Sequence, residues 1–329
     1  MPRAKIPTTV LVAAAITAAA LTATACSSSG PASSAGGSSG KHYTIAFIPG
    51  CTCDPYYSTE TTGFQAAAKA AGVTTIVQGP ADFQASEQIP VLQAVVQRKP
   101  DAIVIDPTDA TALAAPIEAA IAQGIPVMTT GNNVDTDKVF TAIAASSVEG
   151  GKLGAQTLMQ QAPQGGQVLF VHIKPGISSI DDRETGFRQA MKGNSKFTVL
   201  SNVYAGDDSA TQAAGLVSAV ISSHPNLVGI FASNVITAEG AADAIASANK
   251  VGRIKAIGYD AGSQEVTDLT AGSLTAIISQ NPLQIGQLAV QNAVNYLNGK
   301  KVPRNQPQTP LVITQDNMQT PAAQKGIYK

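Results

Sequence analysis

The chain has 329 residues, a formal net charge of −1, 13% charged residues and 44% apolar residues. This near-neutral balance argues against a nucleic-acid partner, because phosphate binding requires clustered Lys and Arg. The length beyond Lys41 suffices for one large domain or two medium domains, each with an apolar core.

The N-terminal segment has the order of features typical of a secretion signal. Arg3 and Lys5 precede an apolar stretch that ends in small residues before Cys26. The order also resembles a bacterial lipoprotein signal, in which the cysteine is lipidated and becomes the new N-terminus. Ala23 departs from that pattern, which prefers Leu there, and cleavage of an ordinary signal nearby is the alternative. We therefore predict a signal peptide over residues 1–25 and lipidation of Cys26.

The segment after Cys26 is composed almost entirely of Ser, Gly and Ala, "SSSGPASSAGGSSGK". Such a composition has almost no apolar surface to bury and is typical of a flexible tether. We predict that residues 26–40 form a lipid-anchored linker and that the folded part begins near Lys41.

Beyond the linker, short β-rich runs alternate with Ala-rich segments of helical length. In the first half "YTIAFI" precedes "TGFQAAAKAAG" and "AIVID" precedes "ATALAAPIEAAIAQG". The second half repeats the pattern with "QVLFVHI" before "RETGFRQAMKG" and "IKAIGYD" before "SQEVTDLTAG". Alternating strands and helices predict α/β lobes built on mostly parallel sheets, and near-continuous apolar strands predict helices on both faces.

Two repeats of this pattern predict two doubly wound lobes joined by a hinge of crossing segments. The stretch "AIAASSVEGGKLG" is the first predicted crossing. We assign residues 41–146 and 281–303 to the N-terminal lobe, and residues 147–280 and 304–329 to the C-terminal lobe.

Polar residues follow the predicted strands in both halves of the chain. In open parallel sheets, ligands bind outside the carboxyl ends of the strands. This rule selects six residues, Asp106, Asn132, Asn133, Asn234, Asp260 and Gln280. The alternative for each is the N-cap of the following helix, a position that Asp and Asn favour. Their shared location at strand ends in both halves favours a common crevice.

Two cysteines lie one residue apart in "PGCTCDPYYSTETTGF", after the first strand. A metal site needs three or four ligands, and none of His42, His172 and His224 has ligand spacing with another. The two-residue spacer of a redox motif is also absent. Cys51 and Cys53 could form a small disulfide in an oxidising exterior or remain as two packed thiols.

Seven motifs, in this order, resemble the periplasmic sugar-binding proteins of ABC importers, close to the ribose-binding type. They are "DPYYSTETTGFQAAAKAAG", "AIVIDPTDATAL", "QGIPVMTTGNN", "RETGFRQA", "IFASN", "IGYDAG" and "ISQNPLQIGQLAV". The resemblance covers essentially the whole mature chain. It implies the type I periplasmic-binding fold, in which two lobes close over one sugar and hand it to a membrane permease.

The resemblance also implies a set of ligand-binding residues. Tyr56 and Tyr57 stand where the family has an aromatic pair that stacks on the sugar, and Arg183 matches an arginine that can donate to two neighbouring hydroxyls. The implied set is Asp54, Tyr56, Tyr57, Asp106, Asn132, Arg183, Asp207, Asn234, Asp260 and Gln280. Such a set suits a neutral polyhydroxyl ligand, since acids and amides accept hydrogen bonds while arginine and amides donate them.

Several positions depart from the ribose-binding pattern. Gly131 and Asn132 replace an Asp–Arg pair, and Asp207 stands close to where ribose binders place another aromatic residue. Asp54 and Asp106 occupy positions where Asn is usual, which makes the site rich in acceptors. We therefore predict a small neutral sugar or sugar alcohol, a pentose or polyol rather than a hexose.

These observations predict an extracytoplasmic solute-binding protein of the cell envelope. We expect it on the outer face of the cytoplasmic membrane, held by its lipid, or in the periplasm. The expected partners are an ABC permease and its ATPase. We expect a monomer that is not an enzyme and uses no cofactor, metal or nucleic acid. A sensor for a signalling receptor and a secreted hydrolase are the alternatives, but no G-x-S-x-G nucleophile elbow between a predicted strand and helix and no phosphate-loop motif occurs.

Overall fold

A computed structural model describes residues 42–206 and 209–328. The predicted signal, the predicted lipidation site Cys26, the predicted linker and Asp207 lie outside the described residues. Within the described part of the chain, no helix combines the length and the apolar content needed to cross a membrane.

The first of two β-sheets has only parallel strand pairs among the described residues. Its strands are β1 (Thr44–Ile48), β2 (Thr74–Val77), β3 (Ala102–Ile105), β4 (Val127–Thr130), β5 (Ala142–Ala145) and β12 (Asn305–Gln308). They lie in the order β12-β5-β4-β3-β1-β2. Every residue of β3 and β4 is buried, as expected for central strands covered on both faces.

The second sheet is parallel except at one edge. Its strands are β6 (Gly166–His172), β7 (Phe197–Val199), β8 (Val203–Tyr204), β9 (Leu227–Ala232), β10 (Lys255–Tyr259), β11 (Ala276–Ser279) and β13 (Leu311–Ile313). The order is β13-β11-β10-β9-β6-β7, with β8 also paired to β6. Only β13 pairs in the antiparallel sense in this described sheet, against β11.

Helices pack on each sheet and complete two α/β lobes. Those against the first sheet are α1 (Pro55–Ala71), α2 (Ala85–Gln97), α3 (Ala114–Ala122) and α9 (Pro282–Leu297). Those against the second sheet are α4 (Ser147–Gln161), α5 (Ser178–Met191), α6 (Ala210–Ser223), α7 (Val235–Ser247), α8 (Ser263–Ala271) and α10 (Pro321–Gly326).

Each sheet separates two apolar clusters. Along β3, Ile103 and Ile105 belong to the cluster on one face, while Ala102 and Val104 belong to the cluster on the other. Strand β6 divides its residues between two clusters in the same way. Since both faces of both sheets are buried, the lobes have the predicted doubly wound architecture.

The last crossing between the lobes lies later in the chain than the predicted boundary at residues 303 and 304. Strand β12 pairs with β5 from Asn305 opposite Ala142 to Gln308 opposite Ala145. It therefore belongs to the first sheet, and the chain reaches the second sheet again at β13. The sequence "NQPQ" has no apolar run and contains a proline, which an edge strand tolerates, so the pattern did not reveal a strand.

Candidate functional site

A cavity lies where strand ends of both lobes meet. Nine of the ten predicted ligand-binding residues are among the described residues, and all nine line it. Its complete lining is Asp54, Tyr56, Tyr57, Phe83, Asp106, Gly131, Asn132, Ile173, Ile177, Ser179, Ile180, Arg183, Asn234, Asp260 and Gln280. Five of the six residues selected by the strand-end rule therefore meet here, whereas Asn133 does not line this cavity.

The loop after β1 places two tyrosines in this cavity. Cys51 and Cys53 form a disulfide, one of the two alternatives that the sequence left open. Asp54 Oδ1 then accepts a hydrogen bond from the backbone N–H of Tyr56 at 2.7 Å, which caps α1. Because α1 begins here, Tyr56 and Tyr57 lie in its first turn, and both are buried. Asp54 is thus both a helix cap and part of the cavity wall.

Two further aromatic residues extend the tyrosine pair. The rings of Tyr57 and Phe83 lie nearly parallel, at 15° with centroids 6.1 Å apart. Tyr56 packs edge to face against Tyr57 at 5.1 Å and against Tyr328 at 6.1 Å. Sequence reasoning missed Phe83, an apolar residue late in the loop between β2 and α2, and Tyr328, which follows α10 rather than a strand.

The carboxyl group of Asp106, after β3, is part of the cavity wall that the first lobe contributes. Its Oδ1 accepts hydrogen bonds from Asn132, from Nδ2 at 2.7 Å and from the backbone N–H at 3.2 Å. Its Oδ2 is buried and has no hydrogen-bond partner among the described residues. Burial, with a second contribution from the nearby carboxyl of Glu60, raises the pKa of Asp106 well above its usual range. The group can therefore hold a proton and donate it to a ligand oxygen.

Arg183, on α5, carries a buried positive charge into the cavity wall. Its Nη1 donates to the backbone carbonyl of Ser233 at 2.6 Å, and its guanidinium lies 3.6 Å from the centre of the Tyr259 ring. The nearest carboxylate oxygen is Oδ2 of Asp260, at 3.9 Å from Nη1. These contacts fix the plane of the guanidinium, whose remaining donors suit adjacent hydroxyls.

Asp260 directly follows β10, and its side chain is held by residues that follow β11 and α10. Its backbone is left-handed, with φ 76°, a conformation that Asp tolerates better than most residues. Its Oδ1 accepts from Gln280 Nε2 at 2.7 Å and from the Tyr328 hydroxyl at 2.5 Å. The predicted acid and amide therefore form one hydrogen-bonded unit in the cavity wall.

Asn234, after β9, satisfies both interpretations made from the sequence. Its side-chain oxygen accepts from the backbone N–H of Thr237 at 3.0 Å, and the Thr237 hydroxyl completes a capping box. The same residue lines the cavity. The N-cap and ligand-site alternatives are thus compatible at this strand end.

The second lobe contributes an aliphatic wall to the cavity. Ile173, Ile177 and Ile180 line the cavity and are buried. They belong to the apolar cluster of the second lobe, against which Phe83 of the first lobe also packs. The cavity therefore combines a polar edge with an apolar edge, which suits the C–H surface of a sugar.

Hydrogen bonds join the lobes beside the cavity. Asn132 Oδ1 accepts from the backbone N–H of Ser179 at 3.2 Å. Lys174 Nζ donates to Gln84 Oε1 at 3.0 Å. Each of these hydrogen bonds joins a residue of the first lobe to a residue of the second lobe. The described conformation is therefore closed over the site.

The remaining candidate chemistry lies outside this cavity. His172 is buried, with Nε2 3.0 Å from Asp181 Oδ1, and burial lowers its pKa. It does not line the cavity. Across residues 42–206 and 209–328, no group of three or more His, Cys, Asp and Glu side chains is arranged to hold a metal ion.

Comparison with known proteins gives the same architecture. The family model described as periplasmic binding protein domain matches residues 45–301. The ribose import binding protein of Bacillus subtilis is 30% identical over 80% of this chain and 84% of its own length. An ABC transporter solute-binding protein of Agrobacterium vitis, solved with α-D-tagatopyranose, is 36% identical, with a TM-score of 0.85 over 87% of this chain and 99% of that chain.

A second solved structure supports the same alignment at lower identity. The carbohydrate transporter solute-binding protein of Agrobacterium radiobacter, in complex with D-arabinose, is 28% identical, with a TM-score of 0.83 over 87% of this chain and 99% of that chain. The family model spans most of the described residues, and the lobes, sheets and cavity follow the expected plan. The chain belongs to the periplasmic binding protein family.

Proposed function

We propose that this protein captures a small neutral sugar or sugar alcohol between its lobes and delivers it to the permease of an ABC importer. The observation that carries the proposal is the composition of the closed cavity. Carboxyl groups, amides and one arginine surround an aromatic pair, and residues of both lobes contribute. Acceptors and donors of this kind match hydroxyl groups, while the aromatic and aliphatic walls match a C–H face.

The ligands of the relatives support a monosaccharide-sized compound. The Agrobacterium radiobacter protein was solved with D-arabinose, a pentose, and the Agrobacterium vitis protein with α-D-tagatopyranose. The Bacillus subtilis relative is named for ribose import. We place pentoses and polyols first for this chain, and tagatose, a hexose, is tested as the alternative.

Closure follows from the way a ligand would contact both lobes. Tyr56 and Asp106 come from the first lobe, whereas Arg183 and Asp260 come from the second. A sugar that touches both sets binds the closed form better than an open form, so it shifts the population toward closure. The segments that cross between the lobes, near Ser146, Gln280 and residues 309–310, are the proposed hinge.

The proposed setting is extracytoplasmic. We propose that the lipid on Cys26 anchors the chain to the membrane and that the linker of residues 26–40 lets the lobes reach the permease. ATP hydrolysis would belong to the ATPase partner of the permease, and this protein would act as a monomeric binding component without enzymatic activity.

Thermal unfolding with a ligand panel tests the proposal. The panel contains D-ribose, D-arabinose, D-tagatose, D-glucose, D-glucuronate, ribitol, xylitol and erythritol, with mass spectrometry of any copurified compound. A ligand present at a hundred-fold excess over its Kd stabilises the folded state by about 2.7 kcal/mol. We expect a shift with a pentose or polyol, and a smaller shift for Arg183→Ala. A shift with only the hexoses D-tagatose and D-glucose, with only D-glucuronate, or with no compound would contradict the proposal.

A further inference from the structure

The chain after α10 brings Tyr328 against the site from outside the cavity lining. The Ser279 hydroxyl donates to the backbone carbonyl of Gly326 at 2.5 Å, and the backbone N–H of Tyr328 donates to the carbonyl of Ala261 at 2.8 Å. Tyr328 is 4% exposed. The two hydrogen bonds fix its backbone to the second lobe, at the ends of β10 and β11.

The hydroxyl of Tyr328 controls one oxygen of a cavity carboxylate. It donates to Asp260 Oδ1, which also accepts from Gln280 Nε2. Two donors therefore occupy Oδ1, while Oδ2 lies on the side of Arg183, 3.9 Å from its Nη1. The hydroxyl thus fixes the rotation of the carboxylate and determines which oxygen is presented to a ligand.

The ring of the same residue contacts the other lobe. Tyr328 packs edge to face against Tyr56, with ring centroids 6.1 Å apart and planes at 70°. Both belong to an apolar cluster with Tyr57 and Cys51 of the first lobe. One side chain therefore connects a second-lobe carboxylate with the aromatic pair of the first lobe, and it makes both contacts in the closed conformation.

We infer that Tyr328 is a positioning residue for ligand binding. Its hydroxyl acts through the carboxylate of Asp260, and its ring acts through the ring of Tyr56. This inference rests on the proposed function. It extends the site beyond the residues that line the cavity, to the end of the chain's last described segment.

A double-mutant cycle tests the link to Asp260. Affinities of wild type, Tyr328→Phe, Asp260→Asn and the double variant are measured by calorimetry with D-ribose, D-arabinose and D-tagatose. We expect Tyr328→Phe to weaken binding about tenfold, because it removes a hydrogen bond to a charged group. In the Asp260→Asn background the same change should cost less than about twofold, because coupled residues are not additive.

A matched tyrosine provides the control. Tyr43 is also buried, and its hydroxyl donates to the Leu297 carbonyl and to Asn298, outside the cavity lining. Tyr43→Phe should leave affinity unchanged. Equal affinity of wild type and Tyr328→Phe, or a tenfold loss that persists in the Asp260→Asn background, would overturn the inference alone. Failure of the wild type to bind these three sugars and every other compound of the thermal-unfolding panel would contradict the proposed function, and the inference with it.

Discussion

A hydrogen bond between Asn132 and Ser179 connects the two lobes in the wall of the ligand cavity. The side-chain oxygen of Asn132 accepts from the backbone N–H of Ser179 at 3.2 Å, while its amide nitrogen donates to Asp106 at 2.7 Å. One short side chain thus orients a first-lobe carboxyl group and contacts the first turn of α5. Closure and the orientation of the polar edge depend on the same residue.

Replacement of this residue should therefore weaken binding. We expect Asn132→Ala to lower sugar affinity about tenfold or more, since two hydrogen bonds are lost and each contributes about 1 kcal/mol. Isothermal calorimetry measures the effect. Asn202→Ala, at an exposed position that accepts a hydrogen bond from Arg188, is the control and should bind normally. Equal affinities of the two variants would refute the role of Asn132.

Arg183→Ala should lose a desolvated, charge-assisted contact with the ligand. The expected cost is on the order of 1.5–3 kcal/mol in binding free energy. Arg188 lies on the same helix, half exposed, in an ion pair with Glu184, and Arg188→Ala should bind as the wild type does. Calorimetry with a sugar that stabilises the wild type compares the variants, and unchanged affinity of Arg183→Ala would place this arginine outside the ligand contacts.

Gly131 is required beside Asp106. It has φ 59°, and a methyl group at this position would collide with the Asp106 carboxylate. We expect Gly131→Ala to abolish measurable sugar binding. Gly124 has φ 86° with open space around it, so Gly124→Ala carries the backbone cost, roughly 1–2 kcal/mol, without the collision. If both variants lose stability alike and both still bind, the close packing at Asp106 has no functional role.

Glu60 should make stability depend on pH. Burial raises the pKa of this α1 carboxyl from 4.5 to about 8. The folded state therefore holds the proton more tightly than the unfolded state, and the stability of the wild type falls as pH rises between these values. We expect the melting temperature of Glu60→Gln relative to wild type to increase from pH 4.5 to pH 8.

Glu118 should show the opposite dependence of folding stability on pH. The hydrogen bond from Lys138, with another from Thr136, lowers the pKa of Glu118. Its ionised form is favoured in the folded state, so Glu118→Gln should lose stability relative to wild type above the unfolded pKa and not below it. Melting temperatures of Glu60→Gln and Glu118→Gln are compared with wild type across pH. If the difference between Glu60→Gln and wild type did not depend on pH, the assignment of Glu60 would be contradicted.

The sequence predicted the polar part of the site because one topological rule governs it. Asp106, Asn132, Asn234, Asp260 and Gln280 each follow a strand of a parallel sheet, and strand ends of a two-lobed fold converge. Asn234 further illustrates that helix capping and a ligand-site position use the same residue types at the same location. Local pattern therefore sufficed to select these side chains.

The apolar and C-terminal parts of the site could not be predicted in this way. Phe83 lies in a loop, and its place beside Tyr57 depends on how α2 packs. Ile177 looks like an ordinary core residue of the second lobe until the first lobe closes over it. Tyr328 reaches Asp260 across a sequence separation of 68 residues. These contacts arise from tertiary packing, which periodicity and strand-end rules do not describe.

The crossings between the lobes impose an order on synthesis and folding. The first sheet is complete only when β12 pairs with β5, and α1 packs against α9, whereas strands β6 to β11 of the second sheet form one continuous stretch. During translation, most of the second lobe's sheet thus leaves the ribosome before the first lobe has its last strand. Neither sheet is complete until this last stretch is made, because β12 closes the first sheet and β13, which follows it, closes the second.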